Sequence, residues 1–212
     1  MHIERLEVLL RLQLGDCEKH FDRILKKPFG LRSTRYEMEG LLSRTWQAWC
    51  FFCRNVCIRS ALGCTTASGG VHPASVLPVT STRASHVAFR GANGLAPQPL
   101  VENNILRKEP TWGDVSKITK IIDALNPGNR LMLKSHFAGG LSGPVHCQIV
   151  RNACAHTNPQ TLNEVRSLAV SYNATGINHP IESVLWKEKG TGTHAYLIWL
   201  DEMKIIAEGV VK

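Results

Sequence analysis

Arg151, Asn152 and His156 are the one set of three side chains suited to phosphate chemistry that this 212-residue chain places within two helical turns. An arginine presents a planar fork of N–H donors that matches phosphate oxygens. A histidine changes charge near neutrality, and an asparagine amide fixes hydrogen-bond geometry. The run from Pro144 to Val150 before them is helix-compatible, and Ser142-Gly143-Pro144 suits a helix start with proline in the first turn. Thr157-Asn158-Pro159 supplies a stop. Residues four apart share a helix face, so Asn152 and His156 are expected to project together while Arg151 reaches round with its longer side chain. His156 then falls in the last turn, where the helix C-terminus favours the imidazolium.

The string Arg151-Asn152-Ala153-Cys154-Ala155-His156, on a late helix of a chain that reads as mostly helical, resembles the signature of HEPN domains. A looser Arg-to-His spacing recurs at Arg130 and His136, and another Arg-Asn pair, Arg54-Asn55, has no histidine in register. Asn152, the small Ala153 and Ala155, and the proline stop set the 151–156 string apart. The likeness extends less specifically from about Arg35 to the C-terminus: a Trp-rich second helix, Pro110-Thr111-Trp112-Gly113-Asp114 opening a third, and Trp199-Leu200-Asp201-Glu202-Met203 near the close. That layout is most similar to the subgroup called RiboL-PSP-HEPN. The resemblance implies a mainly α fold, an HEPN-like helical bundle. It implies a metal-independent endoribonuclease without cofactor, working as a homodimer in which two signature helices face each other across one cleft. The implied products are a 2′,3′-cyclic phosphate and a 5′-hydroxyl.

Composition sets the background. A chain of this length with 43% hydrophobic residues can bury one core, so a single domain over 1–212 is expected. The formal charge of +8 favours a polyanionic partner such as RNA. No apolar run reaches bilayer-spanning length, and His2-Ile3-Glu4-Arg5-Leu6-Glu7 is unlike a secretory leader, so membrane insertion and secretion are disfavoured. The seven cysteines are an odd number without a compact disulfide pattern, which fits a reducing cytoplasm. Cys50, Cys53 and Cys57 share one helical face with Trp46, Trp49 and Phe52, which points to core packing over a metal site.

The remaining elements must position the 151–156 string. Apolar spacing predicts a helix from about Ile3 to Leu25, ended by Pro28-Phe29-Gly30, and a longer one from about Arg35 to Leu62. Between them Lys26, Lys27, Arg32 and Arg35, with Arg23 nearby, gather positive charge round a turn and are the candidate RNA-binding patch. Residues 63–104, rich in Gly, Pro, Ser and Thr, read as a long irregular insertion, with Arg83, His86 and Arg90 as further basic groups. Asp114 suits the cap of a helix through Leu125, and Asn129 to Phe137 form a shorter one that carries His136 as an exposed helix histidine or a second site histidine. Leu162, Val165, Leu168, Ala169 and Tyr172 suggest a further helix, with Arg166 or Tyr172 bordering the site. Near the C-terminus, Val184-Leu185-Trp186 and Tyr196-Leu197-Ile198-Trp199, parted by Gly190-Thr191-Gly192, read either as a small β-hairpin or as helix.

Cleaving RNA without a metal needs a base for the 2′-hydroxyl, a cation for the charge building on phosphorus, and in-line alignment. His156 suits the first, Arg151 the second and Asn152 the third. Two other readings stay open. In one, Arg151 and Asn152 pin neighbouring helices and His156 caps a helix end, leaving a non-catalytic RNA-binding or dimerisation adaptor. In the other, the nuclease is a toxin or antiviral defence enzyme held silent by a partner, such as a nucleotidyltransferase or another antitoxin.

Overall fold

The computed structural model describes residues 2–28, 31–75, 80–96 and 109–212. Over the described residues the chain is mainly helical, with two small antiparallel two-stranded sheets. Its contacts cluster into two compact units, each assembled from separated stretches: one holds Met1–Leu10, Trp49–Leu141 and Lys204–Lys212, the other Arg11–Ala48 and Ser142–Met203. Helices α1 (Glu4–Leu25), α2 (Arg32–Ala61) and α8 (Ala195–Val211) each contribute residues to both. The first two follow the expected boundaries closely, α2 beginning three residues earlier than its apolar stripe alone indicates.

In the first unit Trp49 is fully buried, stacks on Phe52 at 5.8 Å, meets Phe137 edge-on at 6.1 Å and donates to Gly113 O at 3.1 Å. Cys53 and Cys57 are buried on the same face, and burial pushes both thiols up, so they sit in the core as protonated small hydrophobes. Arg54, of the comparison pair Arg54-Asn55, is held by Glu109: Nε to Oε2 and Nη2 to Oε1 are both 2.7 Å. Burial works against the Glu109 charge, but Arg54, Ser85 and Trp112 outweigh it and hold the carboxyl below its usual range.

The 63–104 region differs from expectation. Strands β1 (Cys64–Thr65) and β2 (Val71–His72) pair antiparallel, and Ser81–Ala92 forms a twelve-residue helix, α3, capped by the Thr80 side chain accepting from Arg83 N–H at 3.2 Å. Residues 76–79 and 97–104 of the expected insertion, and Phe29-Gly30 of the first stop, lie outside the described residues. Helix α3 packs on α4 (Val115–Leu125) through small residues: Ala84, Ser85 and Ala88 are buried. A Cβ added to Gly91 would lie 2.4 Å from that of Ala124. A helix face this small carries little apolar signal in sequence and gains its stability from the close approach it permits. Asp114 caps α4 as expected, and Asn126, at φ +47°, ends it in the left-handed region. Helix α5 (Arg130–Phe137) follows.

In the second unit, α6 (Gly143–Ala155) carries Arg151 and Asn152, α7 (Pro159–Ser167) follows, and a 3-10 turn over Leu168–Ser171 replaces the expected continuation of that helix. Of the two readings open for the C-terminal aromatic segments, hairpin or helix, the helical one holds for Tyr196 to Trp199. Strand β3 (Tyr172–Asn173) pairs with β4 (Lys187–Glu188), Pro180–Leu185 is a 3-10 helix, and Tyr196 to Trp199 belong to α8. A turn does form through 190–192, where Gly192 N–H donates to Glu188 O at 3.0 Å, and Lys187 bridges to His194. The aromatic run adopts helix because Tyr196 and Trp199 are both fully buried: Tyr196 packs on Phe21 at 4.8 Å and hydrogen-bonds Thr45 at 2.6 Å. Among the described residues no helix is long and apolar enough to cross a membrane.

Candidate functional site

Helix α6 buries Gly143, Pro144, His146, Cys147, Val150 and Ala153, a stripe at spacings of three and four. Its N-terminus is satisfied from α8, where the Glu202 carboxylate accepts from Gly143 N–H. A Cβ on Gly143 would lie 2.8 Å from Trp199 Cα, so glycine is needed for this approach. No spacing rule pairs residue 143 with 202, and sequence reading missed both roles.

Beneath the helix lies a buried polar chain. Trp199 Nε1 donates to the Tyr172 hydroxyl at 2.7 Å, and that hydroxyl lies 2.7 Å from His146 Nδ1. Burial pushes the Tyr172 phenol up to about 12, so it keeps its proton. The indole can only donate, so the Tyr172 hydroxyl accepts from it; the hydroxyl has both a proton to give to Nδ1 and a second lone pair to accept from it, so either neutral tautomer of His146 satisfies the pair. Burial holds the His146 pKa below the ordinary imidazole value. The folded state therefore takes up this proton less readily than the unfolded chain, and the stabilisation is present above about pH 6.5 and lost as pH falls through the depressed folded value. Thermal melts should show the midpoint dropping on acidification below neutrality, with a shallower drop in His146→Gln. Parallel pH profiles for the two proteins would contradict the assignment. Tyr172, expected at the border of the site, instead supports it from inside. Arg166 is exposed and lines a separate cleft with Ala169, Thr175, Ile177 and Trp186.

At the other end of α6, Arg151 is half-buried and its Nη1 donates to Asn152 Oδ1 at 3.3 Å. Among the described residues no carboxylate lies within ion-pair distance of Arg151, unlike Arg54. Arg151, Cys154 and Ala155 face Glu39, Leu42 and Ser43 of α2 across a hollow of about 160 Å³. Burial pushes the Cys154 thiol up to about 12, the nearby Glu39 charge adding to the effect and Arg151 opposing it. Glu39 Oε1 lies 3.6 Å from His179 Nε2.

His156 differs from expectation. It is the cap beyond α6, at φ −136° and ψ +61°, its N–H still donating to Asn152 O at 2.9 Å. Its backbone is clamped: the carbonyl accepts from Asn158 Nδ2 at 3.0 Å and Thr161 Oγ1 at 2.9 Å, while Asn158 caps α7 reciprocally with Thr161. The expected stop thus holds, and its mechanism is the start of the next helix. The side chain is exposed and turned out of helical register, and among the described residues it does not hydrogen-bond Arg151 or Asn152. Arg151 lines the hollow; Asn152 and His156 do not.

The basic turn is partly neutralised. Lys27 pairs with Glu37 at 2.7 Å and Arg35 with Glu182 at 2.8 Å, whereas Lys26 and Arg32 are exposed and, among the described residues, form no ion pair. His136 is exposed on α5, its ring lying over Gly209 of α8. Among the described residues no three His, Cys, Asp or Glu side chains gather as metal ligands. Comparison of the chain with protein-family models, with curated proteins and with solved structures gives no match.

Proposed function

We propose that the chain is an HEPN-like endoribonuclease that cleaves RNA by attack of the ribose 2′-hydroxyl, without a metal or cofactor. The observation that carries this reading is the end of α6. There a guanidinium unpaired with carboxylate among the described residues donates to Asn152, one turn before an exposed histidine whose backbone is fixed by two caps. An arginine fork without a carboxylate partner among the described residues and an exposed imidazole at the end of the same helix suit a phosphate diester whose charge grows during reaction. Arg54, with the same Arg-Asn sequence, is committed to Glu109 and has no such opening. Lys26 and Arg32 are the basic groups of the α1–α2 turn best suited to carry the RNA backbone, since Lys27 and Arg35 already have carboxylate partners.

A single His156 cannot serve as base and acid on opposite sides of an in-line displacement. The active form is accordingly a homodimer in which two α6 ends share a cleft, each supplying Arg151, Asn152 and His156. The chain acts as a toxin or defence nuclease, with an antitoxin or nucleotidyltransferase as the partner that would restrain it. Purified protein incubated with mixed RNAs and EDTA should yield fragments. Cleavage that vanishes on chelation and returns with magnesium or manganese would refute the metal-free route, and RNA recovered bound but intact would make the chain an adaptor. Sedimentation at the assay concentration should show a dimer; full specific activity from a strict monomer would refute the shared cleft.

A further inference from the structure

A second basic cleft lies in the first unit. His2, Arg5, Leu6 and Leu9, from the start of the chain and the first turns of α1, and Arg59, near the end of α2, enclose about 430 Å³. That volume lies in the range of about 300 to 1,000 Å³ common to small-molecule sites. The wall is fixed: Ile3 is fully buried, its N–H donates to Thr65 O at 3.1 Å, and His2 bridges to Thr65, so the first residues of α1 are tied to β1. Among the described residues no acidic side chain lines the cleft, and neither Arg5 nor Arg59 has an ion-pair partner.

Two guanidiniums brought to one concave wall repel one another. A dianion relieves that repulsion. The arginine forks suit the oxygens of a phosphate, while buried Leu6 and half-exposed Leu9 form an apolar floor that suits a flat organic group. We infer that this cleft binds a small organic phosphate monoester of the mononucleotide type, its phosphate on Arg5 and Arg59 and its base over Leu6 and Leu9. The site is independent of the α6 end, and neither Arg151 nor His156 lines it.

Titration calorimetry with AMP, inorganic phosphate and adenosine as probes tests this. AMP should bind saturably, more tightly than phosphate, and phosphate more tightly than adenosine. Arg5→Ala and Arg59→Ala should each weaken AMP by about 10-fold or more, the loss expected for one charge-assisted contact, while Arg151→Ala should leave AMP affinity unchanged. Circular dichroism of each variant checks folding, and Arg5→Gln and Arg59→Gln replace any alanine variant that fails it. Absence of AMP binding by the wild-type protein, equal AMP affinity in the double arginine variant, or loss of binding in Arg151→Ala would each overturn the assignment. Phosphate binding as tightly as AMP would overturn the role of the leucine floor.

Discussion

His156→Ala is expected to lower RNA cleavage by about 10²- to 10⁴-fold, the usual contribution of a positioned general acid or base, while leaving the melting temperature close to wild type. The separation of effects follows from how the residue is held. What anchors position 156 is its backbone, through the N–H to Asn152 O and the carbonyl to Asn158 and Thr161, none of which alanine removes. The imidazole itself is exposed and, among the described residues, has no hydrogen-bond partner. Single-turnover rates on one RNA, with melts of both proteins, check this. A well-folded variant of equal activity would remove His156 from the chemistry.

Tyr172→Phe is expected to have a larger effect on stability than the loss of one hydroxyl suggests. The phenol accepts from Trp199 and hydrogen-bonds His146, both buried, so the variant leaves an indole N–H and an imidazole nitrogen without partners. Each orphaned buried group costs about 1 to 3 kcal/mol, giving about 2 to 6 kcal/mol together. Urea unfolding should show a lower midpoint with an unchanged slope. A midpoint within error of wild type would mean that the chain from Trp199 to His146 does not hold α6 in place.

The sequence was most legible where structure is decided locally. Asp114 and Asn126 bound α4 by their own backbone preferences, and Thr157-Asn158-Pro159 ends α6 because Asn158 and Pro159 begin α7. It was least legible where a distant partner decides. Residues 81–92 look irregular by composition, yet their small side chains are what lets α3 lie against α4. Tyr196 to Trp199 read equally as strand or helix until Phe21, Thr45 and Tyr172 surround them.

The same division runs through the candidate site. Arg151, Asn152 and His156 are adjacent in sequence and could be read directly. Glu39, Leu42 and Ser43, which complete the hollow beside Arg151, come from α2 with no spacing that announces them. The pairing of Lys27 with Glu37 and Arg35 with Glu182 was likewise hidden, the latter because its partners stand far apart in the chain. Helical periodicity predicted a shared face for Asn152 and His156, and the cap geometry at 156 breaks it.

The most direct test of the central claim is the chemistry of the ends left on a cut RNA. Fragments produced by the wild-type protein in EDTA should carry 2′,3′-cyclic phosphate on the upstream piece and 5′-hydroxyl on the downstream piece, because the attacking oxygen comes from the ribose itself. Such fragments should be resistant to 3′ ligation until the cyclic phosphate is removed, and the downstream pieces should accept phosphate from a kinase. Upstream fragments ending in 3′-hydroxyl with 5′-phosphate downstream would mean that water is the nucleophile, and would contradict the role given to Arg151, Asn152 and His156.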